Sequence, residues 1–393
     1  MPIKDGKYKN PNWVNGGPPA IDADELNAIS DTLENLDKTP GTNYISGNGI
    51  SIAGTTISAK ISSDNDNVAT FGKDGGIYVP NQGGGAGVSA NKKAAVVVGS
   101  SQNGWTAQDC DYLCDGTSDD VEINKAIVAA KNIGYVCLLP GTYNLGGSVS
   151  VNNDVTIYGG GAFGAPYSFG GVRSATVIKD TRQWMGAVGS ISSASISCGN
   201  NRTAFLNLTL DSSSVNRVGV VTRGNTAFSY CSIKANYHCV YSTGTSLTLN
   251  SCCIGALSTS SVSGQYGVYM MASGIYPTLE INGGAVGNIG SVYANGSDTS
   301  FALQVMISNC VLSGAGGGES DISGAVALIK SSGASITGCN ISGYSSIAHP
   351  TPTVYLDSTT ENCIISGNVI SGYSQISDNG TNNNTQYNLL VQL

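Results

Sequence analysis

Three copies of one short pattern decide the fold: Ser308-Asn-Cys-Val-Leu-Ser-Gly314, Thr337-Gly-Cys-Asn-Ile-Ser-Gly343 and Ser366-Gly-Asn-Val-Ile-Ser-Gly372. The copies share Cys or Asn, any residue, an aliphatic residue, Ser and Gly, and they recur every 29 residues. We call the first shared position of each copy the anchor. Weaker copies of the same pattern occur upstream of these three. The anchors are Leu208, Cys231, Cys252, Gly284, Cys310, Cys339 and Asn368.

Short strands that return at 21- to 32-residue intervals, with no helix between them, predict a solenoid of stacked β-rungs. Parallel crossovers are almost always right-handed, so the pattern predicts an all-β, single-stranded, right-handed parallel β-helix from about Lys92 to the C-terminus. Side chains alternate along a strand, so each anchor and the residue two positions later should face the interior. The anchor cysteines should then stack as free thiols rather than form disulfides.

The composition agrees with such a solenoid. Charged residues make up 11% of the 393 residues, against about 25% in an ordinary soluble protein, and there are 53 glycines. The net charge of −8, without a basic run, argues against nucleic acid as a partner. No stretch approaches the ~20 apolar residues of a membrane helix, so membrane insertion is not expected. The start lacks the apolar core of a signal peptide, which predicts synthesis in a reducing cytoplasm and 11 mostly buried free cysteines.

Two smaller regions precede the β-helix, which we place at residues 91–393. Residues 1–40 should contain one helix after Asp22, with Leu26, Ile29, Leu33 and Leu36 spaced as an a/d seam. This seam predicts self-association or packing of the helix on its own protein. Residues 41–90 show short alternating stretches with glycine turns, which predict hairpins followed by a Gly83–Gly87 hinge. Such hairpins bury little surface, so association of identical chains would supply the missing core.

A capping helix is expected at the start of the β-helix. Residues Asp119–Ala130 place Ile123, Ile127 and Ala130 on one face, with Asp119 as N-cap and Glu122 at the third position. A helix there would cover the open end of the first rung, which otherwise templates aggregation.

The stretch Cys114-Asp-Gly-Thr-Ser-Asp-Asp-Val-Glu-Ile-Asn-Lys-Ala-Ile127, followed by Leu138-Leu-Pro-Gly-Thr-Tyr143, resembles the entry motif of the pectate-lyase-like β-helix superfamily. The resemblance implies the fold and leaves the activity open, since the superfamily includes lyases, hydrolases and non-enzymatic spikes.

The segment Trp13-Val-Asn-Gly-Gly-Pro-Pro-Ala-Ile-Asp-Ala-Asp-Glu-Leu-Asn27 is similar to the start of tail-fibre and other appendage proteins of phages that infect Gram-positive bacteria. Ser46-Gly-Asn-Gly-Ile-Ser-Ile52 and Gly72-Lys-Asp-Gly-Gly-Ile-Tyr-Val79 look like shaft modules of such fibres. These resemblances imply a virion protein that attaches to other tail proteins through its N-terminus. They also imply a short shaft, a β-helical receptor-binding head and, usually, a homotrimer.

The residues favour binding over catalysis. Glycoside hydrolysis requires two carboxylates within ~5 to 9 Å, whereas acids are sparse beyond Val151. The Asn-Thr-Asp, Asp-Asp, Gly-His-Gly and Arg-Ile-Lys set of polygalacturonases is missing from the rungs. The alternative is a tailspike depolymerase, a hydrolase or lyase with carboxylates paired across subunits. His238, His349 and the pair Cys110 and Cys114 fit no metal spacing, so no metal or cofactor is predicted.

A bacterial cell-surface glycan is the predicted ligand. Sugars dock on aromatic rings with a polar tip, and the chain has 19 tyrosines against six phenylalanines. The first candidate binding group lies in the interruption 158–185, and the second surrounds the longest rung; the alternative for both is local packing. The candidate ligand-binding residues are Tyr167, Phe169, Arg173, Asp180, Arg182 and Trp184 in the first group, and Tyr269 and Tyr293 in the second.

Overall fold

The fold is taken from a computed structural model of the chain. The structure describes residues 3–4, 7–8, 23–38, 50–53, 56–59, 70–71, 77–78, 94–161, 174–182, 194–213, 217–255, 265–288, 290–296, 302–314, 324–343, 351–372 and 374–392. The chain forms two compact units, Met1–Asn91 and Lys92–Leu393. The predicted hinge lies outside the described residues, and a boundary at residue 40 stays a prediction.

The described residues of the first unit form three antiparallel strand pairs and one helix. The predicted helix and hairpins are confirmed as elements. Their bounds are β1 (Ile3–Lys4), β2 (Lys7–Tyr8), α1 (Ala23–Lys38), β3 (Ile50–Ala53), β4 (Thr56–Ala59), β5 (Thr70–Phe71) and β6 (Ile77–Tyr78).

Helix α1 leaves part of its predicted seam in solvent. Ile29 is 54% exposed and Leu33 is 45% exposed, while Leu26 is half-buried. The structure therefore leaves these two positions of the seam available to another surface. Self-association through them stays a prediction.

The second unit is built from strands, and its three described helical segments all lie near its start. Helix α2 spans Asp120–Ala129, and 3-10 turns span Ser101–Asn103 and Ala130–Asn132. The first strands are β7 (Val96–Ser100), β8 (Tyr112–Cys114), β9 (Tyr135–Leu138), β10 (Gly141–Leu145), β11 (Val149–Val151), β12 (Val155–Gly159), β13 (Thr176–Asp180), β14 (Ile196–Cys198), β15 (Thr203–Leu206) and β16 (Thr209–Ser212). Next come β17 (Val220–Thr222), β18 (Asn225–Ser229), β19 (Ser232–Ala235), β20 (Val240–Ser242), β21 (Ser246–Gly255), β22 (Tyr266–Met271), β23 (Thr278–Asn288), β24 (Gly290–Asn295) and β25 (Gln304–Ser308). The last are β26 (Val311–Gly314), β27 (Val326–Ile329), β28 (Ser335–Thr337), β29 (Asn340–Gly343), β30 (Pro352–Leu356), β31 (Ile364–Ser366), β32 (Val369–Gly372), β33 (Ser374–Asp378) and β34 (Leu389–Val391).

Parallel pairing arranges these strands as the three faces of a β-helix, which confirms the predicted fold class. The first face runs β7-β9-β12-β15-β18-β21-β23-β25-β28-β31. The second face runs β10-β13-β16-β19-β21-β23-β26-β29-β32-β34, with β21 and β23 each bending across both faces. The third face has nine strands, in the order β11-β14-β17-β20-β22-β24-β27-β30-β33.

The predicted anchors line up on the second face. The register of β16, β19, β21, β23, β26, β29 and β32 places every anchor beside the next one along the helix. Each anchor and the residue two positions later are buried, as with Cys339 at 3% and Ile341 at 0% exposure. All 11 cysteines are free and nine of them are buried, so the interior thiol ladder is confirmed.

The corner between the first and second faces is formed by a residue in the left-handed backbone conformation. The residue before each anchor adopts a positive φ, from Asn207 at 52° to Gly338 at 65° and Gly367 at 68°. L side chains other than Asn and Asp rarely adopt this left-handed conformation. The Asn-Cys, Gly-Cys and Gly-Asn pairs of the motif therefore encode a sharp corner as well as an interior position.

Helix α2 covers the first coils, as predicted, with Ile123, Ile127 and Ala130 buried at 1% exposure or less. Asp119 occupies the N-cap position, as predicted, but its side chain makes no capping bond to the helix backbone. Its oxygens instead accept hydrogen bonds from the backbone N–H groups of Gly116 (2.8 Å) and Asn144 (2.7 Å). The carboxylate thus ties the loop before α2 to strand β10.

The C-terminal tail continues the coil. Strand β34 pairs with β32, and Leu390 stacks on Ile370 at an interior position. Leu390 is nevertheless 51% exposed, so the end of the described interior remains open to solvent. No helix among the described residues is long and apolar enough to cross a membrane.

Candidate functional site

A row of stacked tyrosines lies on the outside of the third face. Tyr241, Tyr269 and Tyr293 occupy matching positions on β20, β22 and β24, while their strand neighbours face the interior. Ring centroids are 5.3 Å apart between Tyr241 and Tyr269, and 4.6 Å apart between Tyr269 and Tyr293, with nearly parallel planes. The structure therefore brings the second predicted group together as a ladder.

Further rings enclose this ladder from the side. His238 lies 4.4 Å from Tyr269 and 4.3 Å from Tyr237, centroid to centroid, and its Nδ1 accepts a hydrogen bond from the backbone N–H of Tyr266. Burial lowers the pKa of His238 to about 4, so the imidazole is neutral at physiological pH. Burial also raises the pKa of Tyr269 to about 12, with the neighbouring Tyr293 and Tyr241 adding to the shift. These groups form a neutral aromatic cluster.

This stacking limits what the tyrosines can bind. A sugar docks on the face of a ring, and both faces of Tyr269 are already covered by Tyr241 and Tyr293. Only ring edges and hydroxyl groups remain for a ligand at the centre of the ladder. The stacking agrees with local packing, which was the alternative to ligand binding for this group, and ligand contact at Tyr269 and Tyr293 stays a prediction.

Asp180 and Arg182 form an internal ion pair instead of an open binding pair. Asp180 is fully buried, and its carboxylate bonds the Arg182 guanidinium in a bidentate arrangement. Ser195 Oγ donates to Asp180 at 2.6 Å, and Arg182 donates to Ser148 Oγ at 3.0 Å. Burial acts to raise the pKa of Asp180, but the bonds from Arg182 and Ser195 outweigh it and hold the pKa below its usual value. Both carboxylate oxygens are engaged, which favours a structural role for this pair.

The remaining predicted site residues, Tyr167, Phe169, Arg173 and Trp184, lie outside the described residues.

A surface concavity lies on the first face, where no candidate residue was predicted. It is a shallow groove of about 580 Å³ that crosses β9, β12, β15, β18 and β21, and we call it the first-face groove. Its lining residues are Gly134, Tyr135, Asp154, Val155, Thr156, Arg202, Thr203, Ala204, Asn225, Thr226, Ala227, Ser246 and Thr248. A volume of this size is typical of ligand sites.

Strand register explains the shape of the groove. The floor of the groove is a row of five residues that lie side by side on successive strands, one strand spacing apart: Tyr135, Thr156, Ala204, Ala227 and Thr248. Each points outward, because the residues flanking it in its strand face the interior. Ala204 and Ala227 have small side chains, so the floor is lower there than at the flanking Thr156 and Thr248. The concavity is therefore made by small outward residues in an otherwise regular coil.

A second outward row forms one side of the groove. This row consists of the residues two positions before the floor residues of β12, β15, β18 and β21, and they are also in register: Asp154, Arg202, Asn225 and Ser246. Arg202 Nε lies 3.8 Å from Asp154 Oδ2, and the Arg202 backbone N–H donates to Asp154 Oδ1 at 2.9 Å. Thr245 Oγ1 donates to Asn225 Oδ1 at 2.6 Å. The groove thus offers short polar groups, one aromatic ring and one ion pair.

The carboxylates at the groove are too far apart for glycoside hydrolysis. Asp154 is the one carboxylate among the described lining residues. Glu280 follows Thr248 in the floor row, on β23. Four strand spacings of ~4.8 Å place it about 19 Å from the strand of Asp154. Retaining and inverting hydrolases need roughly 5 to 9.5 Å between their two carboxyl groups.

One cluster of potential metal ligands lies at the cap. Ligand atoms of Cys114, Asp119 and Glu122 lie within 4.8 Å of one another. Burial raises the pKa of the Cys114 thiol and of the Asp119 carboxyl, and both Asp119 oxygens already accept backbone hydrogen bonds. The donor set therefore serves to hold the cap in place.

No protein-family model matches the sequence, and no curated protein matches it. Among solved structures, the chain is similar to ORF18 of Geobacillus virus E2, with 15% identity and a TM-score of 0.46 over 75% of this chain. It is also similar to the Dettilon tailspike protein gp208, with 10% identity and a TM-score of 0.33 over 69% of this chain. The chain spans 59% and 64% of the lengths of these two proteins. A third similar structure is the A-module of the mannuronan C-5 epimerase AlgE6 from Azotobacter vinelandii, with 17% identity and a TM-score of 0.34 over 71% of this chain and 96% of that one.

Proposed function

We propose that the protein is an appendage of a bacteriophage or phage-like particle that binds a bacterial cell-surface glycan in the first-face groove and does not cleave it. The observation that carries the proposal is the groove itself, with its paired alanine floor between Thr156, Thr248 and the ring of Tyr135. Sugars need apolar patches for their ring faces and short polar side chains for their hydroxyl groups. The groove supplies both.

The direction of the groove suits an extended chain. It crosses five strands, so its length along the helix axis is about 19 Å at ~4.8 Å per spacing. Outward positions recur at every strand spacing along this line, which suits a polymer that presents groups at regular intervals. We therefore expect an oligosaccharide to lie parallel to the helix axis.

The virion location rests on the N-terminal unit. Its first residues resemble the start of phage appendage proteins, and α1 exposes Ile29 and Leu33 at a/d positions. A helix with an apolar seam in solvent is suited to association with copies of itself, which supports a homotrimer. Attachment to other tail proteins through residues 1–40 completes the proposal.

The second candidate function is a depolymerase. It is favoured by the exposed Asp154 at the edge of the groove, since a carboxylate in a sugar site can take part in proton transfer and the neighbouring Arg202 supplies a fixed positive charge. The 19 Å separation of Asp154 and Glu280 argues against a hydrolytic pair within one chain.

The test measures binding and cleavage on the same sample. Wall and capsular polysaccharides purified from a panel of Gram-positive strains are immobilised, and retention of the full chain is measured with the release of reducing ends and unsaturated products. We expect retention without products. Ala227→Trp should fill the groove floor and weaken retention at least tenfold, or ~1.4 kcal/mol. Met306→Trp is the matched control, because Met306 lies in the same outward row three strands beyond Ala227 and outside the groove.

Retention that Ala227→Trp leaves unchanged would place the ligand elsewhere on the protein and refute the groove as the site. Products that disappear in Asp154→Asn would establish the depolymerase instead. Failure of every polysaccharide to retain the protein would reject glycan binding altogether.

A further inference from the structure

The charge pattern of the first-face groove indicates what kind of glycan it accepts. We infer that the groove takes an uncharged glycan and discriminates against polyanions such as uronate or phosphodiester polymers. This inference rests on the proposed function, because it names the ligand class of the same groove.

The charged residues of the groove cancel each other. Of its described lining residues, only Asp154 and Arg202 carry charge. They lie on adjacent strands with Arg202 Nε 3.8 Å from Asp154 Oδ2, and the Arg202 backbone N–H also donates to this carboxylate. The Asp154 and Arg202 side chains are 63% and 83% exposed, so the pair is hydrated and adds no net charge to the groove.

A polyanion would find little to bind it here. Recognition of carboxylate or phosphate groups relies on arginine or lysine, most effectively as a bidentate guanidinium contact. The single guanidinium among the described lining residues has the Asp154 carboxylate beside it, which compensates its charge. The floor row continues past Thr248 to the carboxylate of Glu280, and the whole chain carries a net charge of −8. Both features repel a ligand with a charge on every unit.

Uncharged groups find matching partners. The hydroxyls of Thr156 and Thr248 lie at the two ends of the alanine pair, where sugar hydroxyls can exchange hydrogen bonds with them. Asn225 is exposed, and the bond from Thr245 Oγ1 occupies its carboxamide oxygen, which leaves the amide N–H groups to donate. The methyl groups of Ala204 and Ala227 provide the apolar floor for a sugar ring face.

The test separates glycans by charge. Wall polysaccharide from the strains that retain the protein is divided by anion exchange into neutral and anionic fractions, and each is titrated against the full chain. We expect the neutral fraction to bind, with a Kd that changes less than about twofold between 0.05 and 0.5 M salt, because no net charge is screened. Asn225→Ala should weaken this binding by about three- to tenfold, and Ala227→Trp by tenfold or more. Met306→Trp should leave it unchanged.

The other possible results distinguish an error in the ligand class from an error in the proposed site. If the anionic fraction alone binds and Ala227→Trp abolishes that binding, the groove is a glycan site but the neutral class is wrong. If neutral binding weakens more than tenfold with salt, charge recognition carries it and the inference fails. If neither fraction responds to Ala227→Trp, the proposed function itself fails at this groove.

Discussion

The corner before each anchor provides the sharpest test of how the repeat encodes the coil. Gly367 has φ of +68°, and no atom lies within 4 Å of the position that a Cβ would occupy there. Gly367→Ala therefore changes backbone conformational energy and nothing else in the packing. A left-handed L residue costs ~1–2 kcal/mol, and the reduced entropy of the unfolded chain returns ~0.4–1 kcal/mol. We expect a net loss of about 1 kcal/mol.

Two further substitutions at equivalent corners should change the free energy of unfolding by different amounts, one with a larger loss and one with a gain. Gly338→Ala has a similar φ of +65°, but its Cβ would lie 2.7 Å from Asn309 Oδ1, so it should cost more than Gly367→Ala. Ser251 already has a φ of +51° and is exposed. Ser251→Gly removes the strain of ~1–2 kcal/mol at an entropic cost of ~0.5–1 kcal/mol, so it should stabilise the coil by a few tenths to one kcal/mol.

The assay needs local resolution, because each coil of a solenoid contacts and stabilises mainly its immediate neighbours. Urea unfolding of the full chain gives the overall change. Hydrogen exchange of the strands flanking each corner gives the local one. Equal stability of the wild type and Gly367→Ala within 0.3 kcal/mol, or a destabilising Ser251→Gly, would refute the view that left-handed corners constrain this sequence.

Three other predictions concern the interior. Asp180→Ala leaves Arg182 without its buried partner and should cost ~3–5 kcal/mol in urea unfolding. Since the folded pKa of Asp180 lies below its unfolded value near 3.9, this difference should hold above pH ~4 and fade as pH falls through the lower folded pKa. Phe228→Ala removes a ring stacked 4.8 Å from Phe205 and should lower the free energy of unfolding by ~3–5 kcal/mol. A thiol reagent should label only Cys110 and Cys137 in the folded chain, because the other nine cysteines are buried, and all 11 in denaturant.

The fold was predictable because interior positions of a β-helix repeat in the sequence. Cys231, Cys310 and Cys339 face the same interior column, so stacking selects similar residues at each coil. The capping helix was predictable for a related reason, since its apolar face is local. The hydrogen bonding of Asp119 was not predictable from the sequence, because its partner Asn144 lies on strand β10, 25 residues further along the chain.

The candidate sites were harder to predict, because they depend on register between distant segments. Asp180 and Arg182 are near each other in sequence and appeared to be part of a binding loop. Only the fold brings Ser195 and Ser148 to them and reveals a buried network. Tyr269 was identified from its chemistry alone, whereas the ladder that covers its faces requires the pairing of β20, β22 and β24.

The groove escaped sequence analysis for a physical reason that also bears on specificity. Interior side chains must stack on the coils above and below, and they repeat in the sequence. The outward floor of the groove is less constrained and differs from coil to coil, from Tyr135 and Thr156 to Ala204 and Ala227. Ala204 and Ala227 belong to this unconstrained class, and strand register alone makes them neighbours. Exchanging them for polar residues of moderate size should therefore change the ligand with little change in stability. At the proposed glycan site, specificity would therefore reside in outward positions that differ from coil to coil.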